Sequence, residues 1–360
     1  MALAERKIQV FAGSSNIPLA QKIVTELGLS LGDVERSTFS DGETRVQIND
    51  SVRERGDVFV VQSIARTTHT LPNGEKVLMS PNDNLMEMKI MLDALKKSWA
   101  DRVIAVVPYM GYSRQDRKSH PRDAITAKLI AEEISNKCDG VVTFDLHASQ
   151  IEGFFNVSVD HLPGRVLLES YYKEKFPMRG NVVGVAADIG DIKRTKEFCK
   201  GMNIPMVFID KDRPKANVSA IDGVYGELNG KRAIIIDDMI DTAGTICNAA
   251  EAVLERGAKE VHVCATHAIL SGPAVERLKA APVKEIVLLD TLDIPPEKRL
   301  SNMVVLSSAK MLALAMKQIH LGSRDIRILV NGEFNKEADA RIDFKRRGVQ
   351  RQSGPDGGKR

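Results

Sequence analysis

The chain has 360 residues, more than one core normally organises, so two domains of about 150 residues each plus extras are expected. Its formal charge of +3 is nearly balanced, with much of the excess near the C-terminal end, which argues against a polycation built for nucleic acid and for small-molecule substrates. Cys138, Cys199, Cys247 and Cys264 are scattered without a C-x-x-C pair, and there is no long apolar run; this argues against a sulfur metal cage, and neither a signal peptide nor a membrane span is expected, with a cytoplasmic location the expectation.

Short apolar runs alternate with helical patterns along the chain. Ile8 to Phe11, Val58 to Val61, Val103 to Val107 and Val141 to Phe144 read as strands, with an apolar helical stripe through Met91, Leu92 and Leu95 and a helix over 124–134 that Asp123 can cap. Between Arg66 and Pro81 the rhythm breaks, and Pro72-Asn73-Gly74 before Lys76-Val77-Leu78 predicts a small hairpin or surface excursion. A second series follows: Val182 to Val185, Met206 to Ile209, Ala233 to Ile236, Val261 to Ala265 and Val287 to Leu289, with helices near 191–201, 244–256, 272–280 and 308–319. The pattern is α/β, with two similar domains, each a mainly parallel sheet flanked by helices. The expected division is 1–163 with an insertion at 66–81, 164–322, a terminal segment 323–334 packing back on the body, and a basic tail 335–360 with few apolar residues.

The densest chemistry lies at 234–245, IIIDDMIDTAGT. Ile234, Ile235 and Ile236 suit a buried parallel strand whose C-terminal end faces a crevice, and Asp237 and Asp238 stand at that end. Thr242, Ala243, Gly244 and Thr245 form a turn opening a helix, able to aim backbone N–H groups and hydroxyls at a phosphate. Asp237, Asp238 and Asp241 are acceptors for sugar hydroxyls and can hold Mg2+ directly or through water. A bare Asp-Asp after a strand is commonly a helix cap or solvated turn; the whole string instead resembles the phosphoribosyl-diphosphate signature of the phosphoribosyltransferase fold.

Two further strand ends carry charge. The segment YSRQDRKSHPRD at 112–123 places Arg114, Arg117, Lys118 and Arg122 in one loop, which suits a triphosphate or is a solvated charge run. After the Val141 to Phe144 strand, Asp145-Leu146-His147 sets a carboxylate and an imidazole at the same favoured face; His147 can ligate a metal, bind a phosphate or be satisfied by backbone.

Taken in order, RQDRK at 114–118, FDLHASQIEGFF at 144–155, KDRPKAN at 211–217, DDMIDTAGTI at 237–246 and THAILSGPA at 266–274 resemble the ribose-phosphate pyrophosphokinase family, from about Lys7 to Phe334. The resemblance implies pyrophosphoryl transfer from ATP to O1 of ribose 5-phosphate, giving AMP and 5-phospho-α-D-ribose 1-diphosphate for purine, pyrimidine, histidine and nicotinamide nucleotide synthesis. Mg2+ is the implied cofactor, held by His147 and Asp188. Lys211 and Arg213 match the catalytic loop. Phe39, Asp41 and Glu43 of FSDGE, with Arg114, Gln115, Arg117 and Lys118, match ATP contacts, while residues 237, 238 and 241–245 match the ribose 5-phosphate site. Because the family builds its ATP pocket across a subunit boundary, a homo-oligomer, a hexamer built from dimers, is implied, with no membrane or specific nucleic-acid partner.

Certain positions depart from the family. It usually reads Pro-Asp-x-Gly-Gly where this chain reads Ala187-Asp188-Ile189-Gly190-Asp191, so Asp191 is expected to add Cβ strain and negative charge beside a bound anion. Ser51, Arg53, Arg122 and Ser149 match an allosteric anion site for phosphate and ADP, but Glu152 and His161 replace common amides, and altered ADP inhibition is expected. The competing readings are a non-catalytic regulatory homologue and a phosphoribosyltransferase; FSDGE and RQDRK have no task in the latter.

Overall fold

The computed structural model describes residues 7–53, 56–70, 76–215 and 218–322, without the side chains of 69–70, 179, 189 and 210–224. The segments expected at 323–334 and 335–360 lie outside the described residues.

The first half runs β1 (Lys7–Ala12), α1 (Ile17–Leu27), β2 (Val34–Thr38), β3 (Thr44–Ile48), β4 (Gly56–Val61), β5 (Thr67–Thr70), β6 (Lys76–Met79), α2 (Pro81–Lys97), β7 (Arg102–Val107), α3 (Thr126–Ser135), β8 (Gly140–Phe144) and β9 (Ser158–Leu162). The second runs α4 (Arg165–Lys175), β10 (Val182–Ala186), α5 (Ile192–Met202), β11 (Met206–Lys215), β12 (Val218–Tyr225), β13 (Arg232–Ile240), α6 (Gly244–Glu255), β14 (Glu260–Ala268), α7 (Ala274–Ala280), β15 (Glu285–Leu289), β16 (Met303–Leu306) and α8 (Ala309–His320).

Strands β1-β4-β7-β8-β9 form a five-stranded parallel sheet, and β12-β11-β10-β13-β14-β15-β16 a seven-stranded sheet that is parallel except for the antiparallel β11–β12 ribbon. Their β-branched runs are buried on both faces: every residue of β4 is buried, as are Ile234, Ile235 and Ile236 of β13. Two antiparallel hairpins, β2–β3 and β5–β6, stand outside these sheets, the second within the 66–81 excursion.

Local signals account for several helix ends. Ser80 and Asp83 form a reciprocal capping box with Pro81 in the first turn of α2, and Gly28 ends α1 in the left-handed region at φ 69°. Asp123 does not cap a helix. Its carboxylate accepts from the N–H groups of Ser119 and His120, at 3.1 and 2.7 Å, stabilising the preceding turn, and α3 begins at Thr126 without a side-chain cap.

The two halves are stitched together. Asn16 donates to the Asp290 carbonyl at 2.8 Å, the Ser63 hydroxyl to that of Thr291 at 2.7 Å, and Lys22 pairs with Asp290 at 2.8 Å. Helix α8 follows the edge strand of the second sheet yet packs on the first: Met311, Leu312, Ala315 and Met316 share a core with Val10, Leu19, Ile23 and Phe59. Its last turn is tied to β4, where the fully buried Asp57 carboxylate meets His320 at 2.6 Å and Arg102 at 2.5 Å.

Candidate active site between the two sheets

The C-terminal ends of β8, β10 and β13 converge on a cleft of about 670 Å³ lined by Arg114, Arg117, His147, Asp188, Gly190, Asp191, Arg194, Asp237, Asp238, Met239 and Thr245. A basic loop from one half thus faces carboxylates from the other. The cleft continues into a neighbouring hollow that shares Arg114, Arg117, His147 and Arg194 and adds Ser149, His161 and Lys193.

Its acidic floor is buried. His147 Nδ1 lies 2.8 Å from Asp238 Oδ2, and Arg194 Nη1 stands 2.9 Å from Asp191, 3.6 Å from Asp238 and 3.8 Å from Asp237. Burial pushes Asp237 well above the usual carboxylate range, with Asp191 and Asp238 adding to it. Against the upward push of burial, His147 and Arg194 hold Asp238 below its ordinary value. The hydrogen bond to Asp238 raises His147 despite burial, and Asp191 is pushed up to about 7 by burial and by Asp188. An anionic Asp238 between an imidazole and a guanidinium is therefore the fixed charge of the floor.

Ligand atoms of Asp191, Asp237 and Asp238 lie within 4.8 Å of one another, a hard oxygen donor set that fits a cation such as Mg2+ or Ca2+. His147 and Asp188, the pair expected to hold metal, also line the cleft; Asp188 accepts from the Gly190 N–H at 2.7 Å. Asp191 carries no backbone strain. Its φ is −89°, open to any residue, so the expected Cβ strain is corrected, and its charge faces Arg194. Sequence reasoning missed Arg194; a basic residue three positions after Asp191 in the first turn of a helix was the available signal.

At the mouth, Arg114 and Asp241 form an ion pair joining the two halves. That pair, with a hydrogen bond from Ser271, keeps Asp241 below the ordinary range although burial acts the other way. Thr245 faces the cleft from the first turn of α6, while Ala243 sits in the left-handed region at φ 62°.

Other expected residues are spread more widely. Gln115 accepts from the Thr126 hydroxyl, and Lys118 is exposed outside the cleft lining. Phe39, Asp41 and Glu43 form the tight turn of the β2–β3 hairpin, where Phe39 N–H donates to the Glu43 carbonyl at 2.8 Å and the ring is 54% exposed; this turn does not line the cleft of its own chain. Lys211 and Arg213 lie on the β11–β12 ribbon, their side chains outside the described set. Ser51, Arg53 and Arg122 are exposed, Arg122 with φ 73°, and Ser149 opens a short helical turn. Glu152 and His161 face each other at 3.6 Å, with His161 Nε2 accepting from the Leu146 N–H at 2.9 Å.

Known proteins give the same outline. Residues 8–137 match the family model described as the N-terminal domain of ribose phosphate pyrophosphokinase, and residues 187–325 that of the phosphoribosyl synthetase-associated domain. The chain is 47% identical over 323 residues to the ribose-phosphate pyrophosphokinase of Caldanaerobacter subterraneus subsp. tengcongensis, covering 89% of this chain and 98% of that one. It is 46% identical over 319 residues to that of Clostridium tetani, covering 88% and 95%. The crystal structure of phosphoribosylpyrophosphate synthetase from Mycobacterium smegmatis superposes with a TM-score of 0.78 at 34% identity, covering 88% of this chain and 100% of that one. With this sequence likeness over nearly its whole body, the chain belongs to the ribose-phosphate pyrophosphokinase family.

Proposed function

We propose that this chain transfers the pyrophosphoryl group of ATP to O1 of ribose 5-phosphate, releasing AMP and forming 5-phospho-α-D-ribose 1-diphosphate. The observation that carries this reading is the common cleft: the Asp237–Thr245 segment and the Arg114–Arg117 loop, from different halves, line one space. One side offers hydroxyl acceptors and a turn for the 5-phosphate, the other guanidinium groups for polyphosphate.

In the reaction a bond forms between O1 and the β-phosphorus while the bond from that phosphorus to the α-phosphate oxygen breaks. Charge spreads over phosphate oxygens, so positioning and fixed cations supply most of the rate. Arg114, Gln115, Arg117 and Lys118 are assigned to ATP, Asp237, Asp238 and residues 241–245 to ribose 5-phosphate, and Lys211 and Arg213 to the transferring phosphates. Mg2+ is the assigned metal, with Asp188 and His147 as candidate ligands and Asp191, Asp237 and Asp238 as a hard-oxygen cluster nearby; once bound it neutralises phosphate charge. Because the exposed Phe39 turn lies off its own cleft, we assign Phe39, Asp41 and Glu43 to the ATP pocket of a second copy, in a homo-oligomer of hexamer type. Ser51, Arg53, Arg122 and Ser149 are assigned to a phosphate and ADP effector site. Among the described residues no helix is long and apolar enough to cross a membrane.

Incubation with ATP, Mg2+ and ribose 5-phosphate should release AMP in proportion to the sugar phosphate consumed. AMP formation that does not depend on ribose 5-phosphate would overturn the reading, and neither a non-catalytic homologue nor a phosphoribosyltransferase would give the expected product.

A further inference from the structure

The segment 266–274, THAILSGPA, carries no substrate contact in the reading above. Its position nevertheless gives it a task. As the chain leaves β14 it runs behind the turn at 241–245 and takes its carbonyl groups one after another. The N–H groups of Ile269 and Leu270 both donate to the Ile240 carbonyl, at 3.0 and 2.9 Å, and that of Ser271 to the Asp241 carbonyl at 3.0 Å. Arg277, one turn into α7, then donates Nη1–H to the Thr242 carbonyl at 3.0 Å. The Ala243 carbonyl is taken by Cys247 within α6. Four successive carbonyls, of residues 240 to 243, are thus engaged, and among the described residues no backbone carbonyl accepts from the N–H groups of residues 242 to 245.

This arrangement is strained on both sides. Ala243 at φ 62° and Leu270 at φ 50° are non-glycine residues in the left-handed region, which persists only when surroundings over-determine it. Arg277 is the side-chain member of the fastening. It is outside the cleft lining, over a separate hollow of about 330 Å³ shared with Gly244, Cys247, Asn248 and Glu251. A Cβ at residue 244 would come within 3.3 Å of Arg277 Nη1, so glycine there lets the guanidinium lie across the turn.

We propose that Arg277 is a positioning residue for the sugar phosphate: by holding the Thr242 carbonyl behind the turn, it keeps the N–H groups of residues 242–245 turned toward the anion. The inference rests on the function proposed above. It touches no reacting atom, and its effect is confined to the substrate that carries the 5-phosphate.

The test is steady-state kinetics of the full chain and of Arg277→Ala, Arg277→Lys and Arg277→Gln, with ribose 5-phosphate and ATP varied in turn and thermal melting followed alongside. Losing a charged donor should raise KM for ribose 5-phosphate about tenfold in Arg277→Ala while KM for ATP stays within about twofold. The Lys and Gln variants, which keep a donor, should recover part of the loss, and millimolar guanidinium chloride should restore the Ala variant. An unchanged KM for ribose 5-phosphate, or equal rises for both substrates with a fall in melting temperature, would overturn the proposal. Absence of AMP formation by the unaltered chain would instead refute the underlying function.

Discussion

Arg194 on α5 stands 2.9 Å from Asp191 and 3.6 Å from Asp238, so the carboxylate that departs from the family pattern is paired inside the floor of the cleft. Asp191→Asn should leave KM for both substrates within about threefold, since Arg194 keeps its contact with Asp238 and gains a neutral neighbour. Arg194→Met should raise KM for ribose 5-phosphate by about tenfold or more, because Asp191 and Asp238 then face an incoming anion without their cation. Initial-rate measurements on both variants decide this. A tenfold change in the Asn variant would show that Asp191 acts on substrate or on its metal, beyond its pairing with Arg194.

The Phe39 turn should serve a neighbouring copy. Phe39→Ala should raise KM for ATP about tenfold, as expected for loss of an aromatic stacking face. At ATP well below KM, where Phe39→Ala is about tenfold slower, mixing it after dissociation with His147→Ala chains should raise activity to about a quarter of the unaltered level, since half of randomly formed pairs are mixed and one of their two sites has both residues. No recovery on mixing would place the two residues in the same chain's site.

Glu285 provides a pH test far from the cleft. Although burial acts upward, hydrogen bonds from Lys175 and Tyr171, the latter at 2.9 Å, hold Glu285 below its ordinary value of 4.5. A depressed folded-state value contributes stability that is present above pH 4.5 and fades as pH falls through the folded value. Glu285→Gln should therefore cost about 1 kcal/mol at pH 7, and the difference from the unaltered chain should vanish toward acid. Urea titrations at several pH values measure it; a difference that grows on acidification would contradict the assignment.

The packing of α8 is testable through Leu312, fully buried against the first sheet's core. Leu312→Ala should destabilise by about 3 kcal/mol, in the range for a large-to-small core change. Denaturant unfolding measures this, and a loss below about 1 kcal/mol would mean the helix is not integral to that core.

Contiguous features were legible in the sequence. The strand runs at 58–61, 103–107 and 233–236 carry their burial in their own composition, and the Asp237–Thr245 segment brings its acceptors and turn together within one stretch of chain. What stayed hidden depends on partners remote in sequence. The stripe of α8 announces burial without saying which sheet receives it. Asp123 has the composition of a helix cap, yet the preceding turn offers its N–H groups first. Arg194 looks like one more surface cation of a basic helix until β13 brings Asp238 beneath it.

The return of α8 to the first sheet has a consequence for how the molecule comes into being. Residues 7–162 contain every strand of that sheet, but the face of α1 carrying Leu19 and Ile23 is completed by residues 311–316. During synthesis the amino-terminal half must therefore wait, with that apolar face uncovered, until the second half has been translated. Folding is then vectorial only in part: α8, the last of the described helices to leave the ribosome, is the lock for the first sheet to leave it, and a nascent chain stopped before α8 is a candidate for chaperone capture rather than for a half-working enzyme.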